Sequence, residues 1–309
     1  MLAPSAIIAQ RYRIRRRLAE GSLGIVYEAT TVGGISVADG AHVVALKVLR
    51  TSRARNQRAI AGFVNEAYLG MTLRHPALVR VLDYGRLDDG RPFYAMQLCR
   101  GMGLDQMLCE AGLLEPELAL LLLRDAASAL QCLHDNGLVH RDVKPANLFV
   151  HWPRTGHLPR LRLIDLGLAG VYDYGRASWI GALNLAAQGS WGTPAYASPE
   201  QALGIRVDPR ADVYSLASVA YRMLVGRSPF RNHSAARIVR AQLFAKPLPP
   251  SLLNRALPMG IDRVLERALE KNASDRTPSV TRLVADLAAA IRLSHQSPKT
   301  RVVSQPACS

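Results

Sequence analysis

The sequence is short of cysteine, lysine and aromatic residues, and it contains no long apolar run. Its four cysteines, at positions 99, 109, 132 and 308, form no Cys-x-x-Cys pair and have no histidine at a zinc-like distance. Neither a zinc module nor a disulfide framework is therefore expected, and the thiols read as reduced. His151 and His157 share the stretch HWPRTGHLPR with no acidic or thiol neighbour, which removes them as metal ligands. Nowhere do roughly 18 apolar residues follow one another, so no membrane-spanning helix is expected. The greasiest region, LLEPELALLLLRDAASAL, is broken by Glu115, Glu117, Arg124 and Asp125, and its spacing suits a buried amphipathic helix. The opening MLAPSAIIAQRYR lacks a basic segment ahead of a long apolar one, so a cytoplasmic chain without a secretory leader is expected. Lysine supplies only five of the 39 basic residues. The arginines behind the formal net charge of +15 run through every segment, as a compositional bias would, so a nucleic-acid partner is not expected. Their densest run, RYRIRRRL, alternates with Tyr12, Ile14 and Leu18 on one face and reads as the solvated edge of a strand.

What the chain does have is length and apolar content: 309 residues, 49% hydrophobic, enough for one large core or two lobes. The first ~97 residues read mainly as strands, in YRIRRRLAEG, GIVYEATTV, HVVALKVLR, LVRVLDYGRL and PFYAMQLC, with a helical stretch from Gln57 to Leu73. From Gly103 onward helical periodicity dominates, over 104–110, 115–136, 211–225, 234–244, 260–270 and 279–292, with short strands near 148–151 and 161–164. A β-rich lobe followed by a helical lobe implies a cleft between them, where ligands favour binding. The hairpin LAEGSLGIVYEAT carries Gly21 and Gly24, which alone could be turn residues or a phosphate cradle.

Two strings carry chemistry. LVHRDVKPANLFV, at 138–150, sets Asp142, Lys144 and Asn147 on one loop, and LIDLGLA, at 163–169, sets Asp165 between an apolar strand and a glycine. An acid that orients a hydroxyl, a lysine and two oxygen ligands for Mg²⁺ form the set that phosphoryl transfer requires. Asp and Asn are ordinary turn residues singly, but chance does not readily supply all of them in this order.

These strings resemble the eukaryotic-like protein kinase superfamily, bacterial serine/threonine kinases in particular, and the match runs from about Tyr12 to Arg292. HRDVKPAN is similar to the catalytic loop, DLG to the metal-binding triplet with Leu166 for Phe, and GTPAYASPEQA to the segment closing the activation loop. ADVYSLASVAYRMLVGRSPF resembles the helix that anchors the catalytic loop through Asp212, and SDRTPS supplies Arg276, the structural partner of Glu200. The resemblance implies an α+β, bilobal fold: an N-terminal extension at 1–11, a small β-rich N-lobe at 12–97, a larger helical C-lobe at 98–292, and a tail at 293–309 expected to be disordered. It also implies ATP and Mg²⁺, with Mn²⁺ possible, and transfer of the γ-phosphoryl group to Ser or Thr hydroxyls of protein substrates. Asp142, Lys144 and Asn147 are then the catalytic residues, and Asn147 and Asp165 hold the metal. Ala19, Gly21, Gly24, Val26, Ala45, Lys47, Glu66, Met96, Leu98, Cys99 and Phe149 are implied around the nucleotide, with Glu66 pairing Lys47.

Three positions depart from the pattern. Ala19 replaces the first glycine of the hairpin, which implies weaker closure over the nucleotide. Gly70, one turn after Glu66, and Leu166 replace apolar and aromatic residues that stack between lobes. The expectation is a gap at Gly70 and a loosely held helix whose docking needs an activating partner or phosphorylation, with a homodimer as the route to autophosphorylation. Arg141 is expected to meet a phosphorylated residue of the activation loop, at Ser178 or Ser190, although both could be plain loop serines. Thr193 is expected to bond the catalytic acid rather than carry phosphate. A pseudokinase scaffold is disfavoured because every catalytic position is filled, and a small-molecule phosphotransferase because GTPAYASPE resembles a peptide platform.

Overall fold

In the computed structural model, residues 2–21, 23–33, 42–152, 157–172 and 193–296 are described; Ser178, Ser190 and the tail beyond 296 lie outside them. The N-terminal part is an antiparallel sheet of β1 (Ile7–Ile8), β2 (Tyr12–Glu20), β3 (Gly24–Thr31), β4 (Val43–Leu49), β5 (Val81–Arg86) and β6 (Pro92–Gln97), in the order β1-β2-β3-β4-β6-β5. Period-2 alternation sorts its residues. Val44, Leu46 and Val48 of β4 join Tyr12, Ile14, Tyr27, Phe93 and Ala95 in one core. Between them Ala45 and Lys47 face the other way, and Leu49 packs with Phe63, Ala67, Val81 and Tyr94 under helix α1 (Gln57–Thr72). That helix starts at Asn56, whose side chain accepts the Ala59 N–H at 3.0 Å.

Strand β1 lies in the segment expected only as an extension. Ile8 is buried, and the turn into β2 puts Ala9 at φ 48° and Gln10 at φ 55°. A turn with two positive-φ residues normally announces itself through Gly or Asn, and this one does not.

The C-terminal part holds β7 (Gly101–Gly103), α2 (Leu104–Ala111), α3 (Pro116–Asp135), β8 (Leu138–Val139), β9 (Leu148–His151), β10 (Arg160–Leu163) and β11 (Gly170–Val171). After the undescribed stretch come α4 (Pro199–Ala202), α5 (Arg210–Val225), α6 (Ala235–Phe244), α7 (Pro250–Leu253), α8 (Gly260–Ala268) and α9 (Val280–Gln296). Helix α9 thus extends past 292. Two small sheets, β10-β9-β7 and β11-β8, carry the loops that face the first lobe. Helix α5 is buried on every side from Ala211 to Tyr221, so it is the central post against which α3, α8 and α9 pack. The lobes are tied behind the cleft: Val79 N–H donates to Leu163 O at 3.0 Å and Leu163 N–H to Ala77 O at 2.8 Å.

Candidate active site

Lys47 is buried in the wall of the cleft, and its Nζ donates to both Glu66 oxygens at 2.7 and 2.8 Å. The same nitrogen lies 4.0 Å from Asp165 Oδ2. Burial and the Asp165 charge push the Glu66 carboxyl up to about 7, against the opposing pull of Lys47 and of the Tyr94 hydroxyl. Burial acts the same way on Asp165, but the Lys47 charge and the Gly167 N–H outweigh it and bring that carboxyl down to about 2. Asp165 is therefore a firm anion, whereas Glu66 titrates near neutrality.

The expected gap at Gly70 is absent. A Cβ built there would sit 2.4 Å from a Val81 methyl, so β5 occupies the space a side chain would claim, and the void behind the cleft is about 10 Å³. With Val81 filling the position, α1 is docked and the Lys47–Glu66 pair is formed, contrary to the expectation of a loosely held helix. Leu166 is buried against the same wall.

Asp142 stands on the loop between β8 and β9. Its Oδ2 accepts Lys144 Nζ at 2.6 Å and Asn147 Nδ2 at 3.1 Å, and its Oδ1 accepts Thr193 N–H at 3.1 Å and Thr193 Oγ1–H at 3.4 Å. The loop hangs from α5: the buried Asp212 carboxylate accepts the backbone N–H groups of His140 at 2.9 Å and Arg141 at 3.0 Å, and contacts His134 Nε2 at 2.8 Å. Burial alone would raise the Asp212 carboxyl, but the His134 hydrogen bond and the neighbouring histidines hold it below the usual carboxylate range. This grip keeps Arg141 at φ 69°, a conformation that a non-glycine residue adopts only when its surroundings impose it. The Arg141 guanidinium lies on Gly170, where an added Cβ would come within 2.4 Å of Cζ. His140 Nε2 meets Asp165 O at 2.6 Å, so the two chemical strings are bound to each other. Glu200 and Arg276 form a buried bidentate pair at 2.6 and 2.7 Å, remote from the cleft in role: they brace α4 against the turn before α9.

A cavity of about 720 Å³ lies between the lobes, within the size range of small-molecule sites. Of the residues expected around the nucleotide, Ala19, Val26, Ala45, Met96, Leu98, Cys99 and Phe149 line it; Gly21, Gly24, Lys47 and Glu66 do not. Gly24 has a structural reason as well, since a Cβ there would come within 3.0 Å of Val48 O and 3.1 Å of Lys47 Cγ. At Gly21 the nearest atom to such a Cβ is Gly24 O at 3.7 Å, so packing does not demand glycine there. Gln97 also lines the cavity, and its side-chain oxygen accepts Arg162 NH1 at 2.5 Å.

The donor set fits a hard dication. Asn147 spends its amide nitrogen on Asp142, which leaves its amide oxygen, and Asp165 spends Oδ1 on the Gly167 N–H at 2.8 Å, which leaves Oδ2. Two oxygen ligands without histidine or thiolate suit an ion that completes its shell with phosphate and water. No cluster of three His, Cys, Asp or Glu occurs among the described residues.

Sequence reasoning missed Tyr94. Its buried ring packs on Phe63 at 5.0 Å, and its hydroxyl donates to Glu66, while burial and the two carboxylates raise the phenol well above its ordinary value. The available signal was register: Tyr94 pairs directly with Lys47 across β4 and β6.

Residues 12–287 match the family model described as protein kinase domain. The chain is 33% identical over 284 residues to the serine/threonine-protein kinase pkn3 of Myxococcus xanthus, covering 91% of this chain and 50% of that one. It is 36% identical to pkn2 of the same organism, over 94% of this chain and 34% of the relative. It is 35% identical to PknB of Mycobacterium tuberculosis, over 79% and 38%. The chain thus spans half or less of the length of these curated relatives. Among solved structures, the PknI kinase domain of Mycobacterium tuberculosis superposes with a TM-score of 0.70 at 27% identity, over 94% of this chain and 100% of that one. With the bilobal fold, the Lys47–Glu66 pair and the Asp142 loop in place, the chain belongs to the protein kinase family, among relatives that are bacterial serine/threonine-protein kinases.

Proposed function

We propose that this chain transfers the γ-phosphoryl group of ATP to Ser or Thr hydroxyls of protein substrates. The observation that carries the reading is the Asp142 carboxylate, held by Lys144 on one oxygen and Thr193 on the other. Held this way, Asp142 accepts the hydrogen bond of an incoming hydroxyl and aims it in line. Lys144 neutralises charge on the group being transferred, and Lys47, kept in place by Glu66, orients the α- and β-phosphates. Asn147 and Asp165 hold the divalent cation, which we read as Mg²⁺ with Mn²⁺ as the alternative, and which when bound offsets phosphate charge. Val26, Ala45, Met96 and Phe149 enclose the adenine, and the backbone at Leu98 and Cys99 faces its edge. Most of the rate enhancement is then positioning and electrostatics.

The proposal includes a cytoplasmic setting, the compartment that supplies ATP. It also includes regulation through Arg141, which would receive a phosphate placed on Ser178 or Ser190 by a second copy or an activating partner. Phosphopeptide mapping of an active preparation tests that part, and an active form unmodified at both serines would refute it. For the activity itself, purified protein is given Mg²⁺, labelled ATP and a protein acceptor. Label should appear on Ser or Thr and fall by roughly 10³-fold in Asp142→Ala and Asp165→Ala. Undiminished transfer in either variant would end the assignment.

A further inference from the structure

Helix α6 is exposed or half-buried at every residue except Gln242, which is buried outright. A surface helix normally buries an apolar stripe, and an amide taken out of water is costly unless both its ends are bonded. Here both are. Gln242 Nε2 donates to Pro194 O at 3.0 Å, and Gln242 Oε1 accepts the Tyr214 hydroxyl of α5 at 2.6 Å. That hydroxyl in turn accepts Lys271 Nζ at 3.2 Å, from the turn between α8 and α9, and the same ammonium donates to Ala241 O at 3.4 Å. A lysine only donates, so the Tyr214 proton is left for Gln242 Oε1 and the amide nitrogen is turned to Pro194. Polarity runs one way along this chain, from ammonium to carbonyl, and each bond strengthens the next. At its far end Pro194 follows Thr193, whose N–H and hydroxyl hold Asp142 Oδ1. The two cannot move separately, because Thr193 O accepts Tyr196 N–H at 2.9 Å and Ala197 N–H at 3.1 Å, which closes the turn around Pro194. Ser215 of α5 gives the turn a second hold, donating to Tyr196 O at 2.8 Å.

We infer that Gln242 is a positioning residue for phosphoryl transfer: backed by Tyr214 and Lys271, it fixes the turn that keeps Thr193 on Asp142, and so keeps that carboxylate aimed at the acceptor hydroxyl. The inference rests on the proposed kinase activity and deepens it. A packing role alone would be met by leucine or methionine without a buried amide. The cavity between the lobes shares no residue with Pro194, Tyr214, Gln242 or Lys271, so the effect belongs to the acceptor side and not to ATP binding.

The test is steady-state kinetics of the full chain with MgATP and a protein acceptor, read beside hydrogen exchange of the same proteins. Gln242→Met keeps the volume and removes both bonds, so kcat should fall roughly tenfold while KM for ATP stays within about twofold. Tyr214→Phe keeps the ring and removes only the hydroxyl that orients the amide, and kcat should fall roughly threefold. The double variant should be no slower than Gln242→Met alone, because both changes act through the one bond to Pro194. In Gln242→Met the segment 193–197 should exchange roughly tenfold faster, with the strands of the N-terminal sheet unchanged. Losses that multiply in the double variant, or a kcat that falls without faster exchange at 193–197, overturn the inference. An active chain whose Gln242→Met variant keeps its kcat ends the inference alone, whereas an unaltered chain that phosphorylates no protein ends the kinase reading and this inference with it.

Discussion

Lys47–Glu66 and Glu200–Arg276 are both buried ion pairs, yet they are built to opposite specifications. Arg276 uses its whole guanidinium: two bonds to Glu200 at 2.6 and 2.7 Å, then bonds to the carbonyls of Arg210, Glu270 and Lys271 at 3.1, 2.7 and 2.9 Å. Nothing is left over for a ligand. Lys47 holds one carboxylate, sits 4.0 Å from a second, and faces a partner that titrates near neutrality. A saturated pair fixes structure, while an under-saturated one is poised for an anion that arrives later. The buried cost of the first is covered by hydrogen bonds, and that of the second is left partly uncovered, as expected where function needs a free valence.

Four measurements sharpen or break this contrast. Lys47→Met should lower the rate of phosphoryl transfer by roughly 10²-fold or more. Its denaturation midpoint should barely move, because Glu66, already raised to about 7, escapes its lost partner by taking a proton. A collapse of stability in that variant would erase the distinction. Arg276→Met should do the reverse and cost about 3–5 kcal/mol of stability in chemical unfolding, since it strands a buried carboxylate and three carbonyls. Third, Gly70→Ala should lower the unfolding free energy by about 1–3 kcal/mol through its clash with Val81, even though alanine favours helix. Adding Val81→Ala should recover most of that loss, because the two sites share one space; additive losses would mean that β5 is not what fills the position.

The smallest effect concerns pH. Glu66 must be ionised to hold Lys47, so kcat/KM should fall as pH drops through about 7. The Tyr94 hydroxyl donates to the ionised carboxylate and lowers its pKa, so Tyr94→Phe should move this acid limb upward, by roughly half to one pH unit. A limb that stays in place would assign Tyr94 to packing alone.

The catalytic loop was legible in sequence because its chemistry is contiguous: Asp142, Lys144 and Asn147 fall within six residues, and the loop that holds them needs that order. Lys47 and Glu66 were legible only through their places in the kinase pattern, since a lone Lys in a strand and a lone Glu on a helix read as surface residues. Tyr94 was not, since an aromatic residue in a strand reads as core, and its hydroxyl finds Glu66 only after β4, β6 and α1 have assembled. Gly70 misled for the same reason. A missing side chain predicts a void only if neighbours stay put, and Val81 comes from β5, a separate element. Strand β1 stayed hidden because its turn uses Ala9 and Gln10 in a conformation their side chains do not advertise.

The arginines of β2 have one more consequence. Among the described residues, backbone bonds with Ser5 and Ala6 cover β2 as far as Ile14, and beyond that point Arg15, Arg16 and Arg17 are exposed along the margin of the sheet. Bare strand margins invite a neighbouring molecule to zip on and seed insoluble fibres. Here any such zipper would have to displace the Arg16–Glu28 and Arg17–Glu20 ion pairs and desolvate the Arg15 guanidinium, which is costly. The run that raises the net charge thus makes this one margin of the sheet costly for another strand to cover.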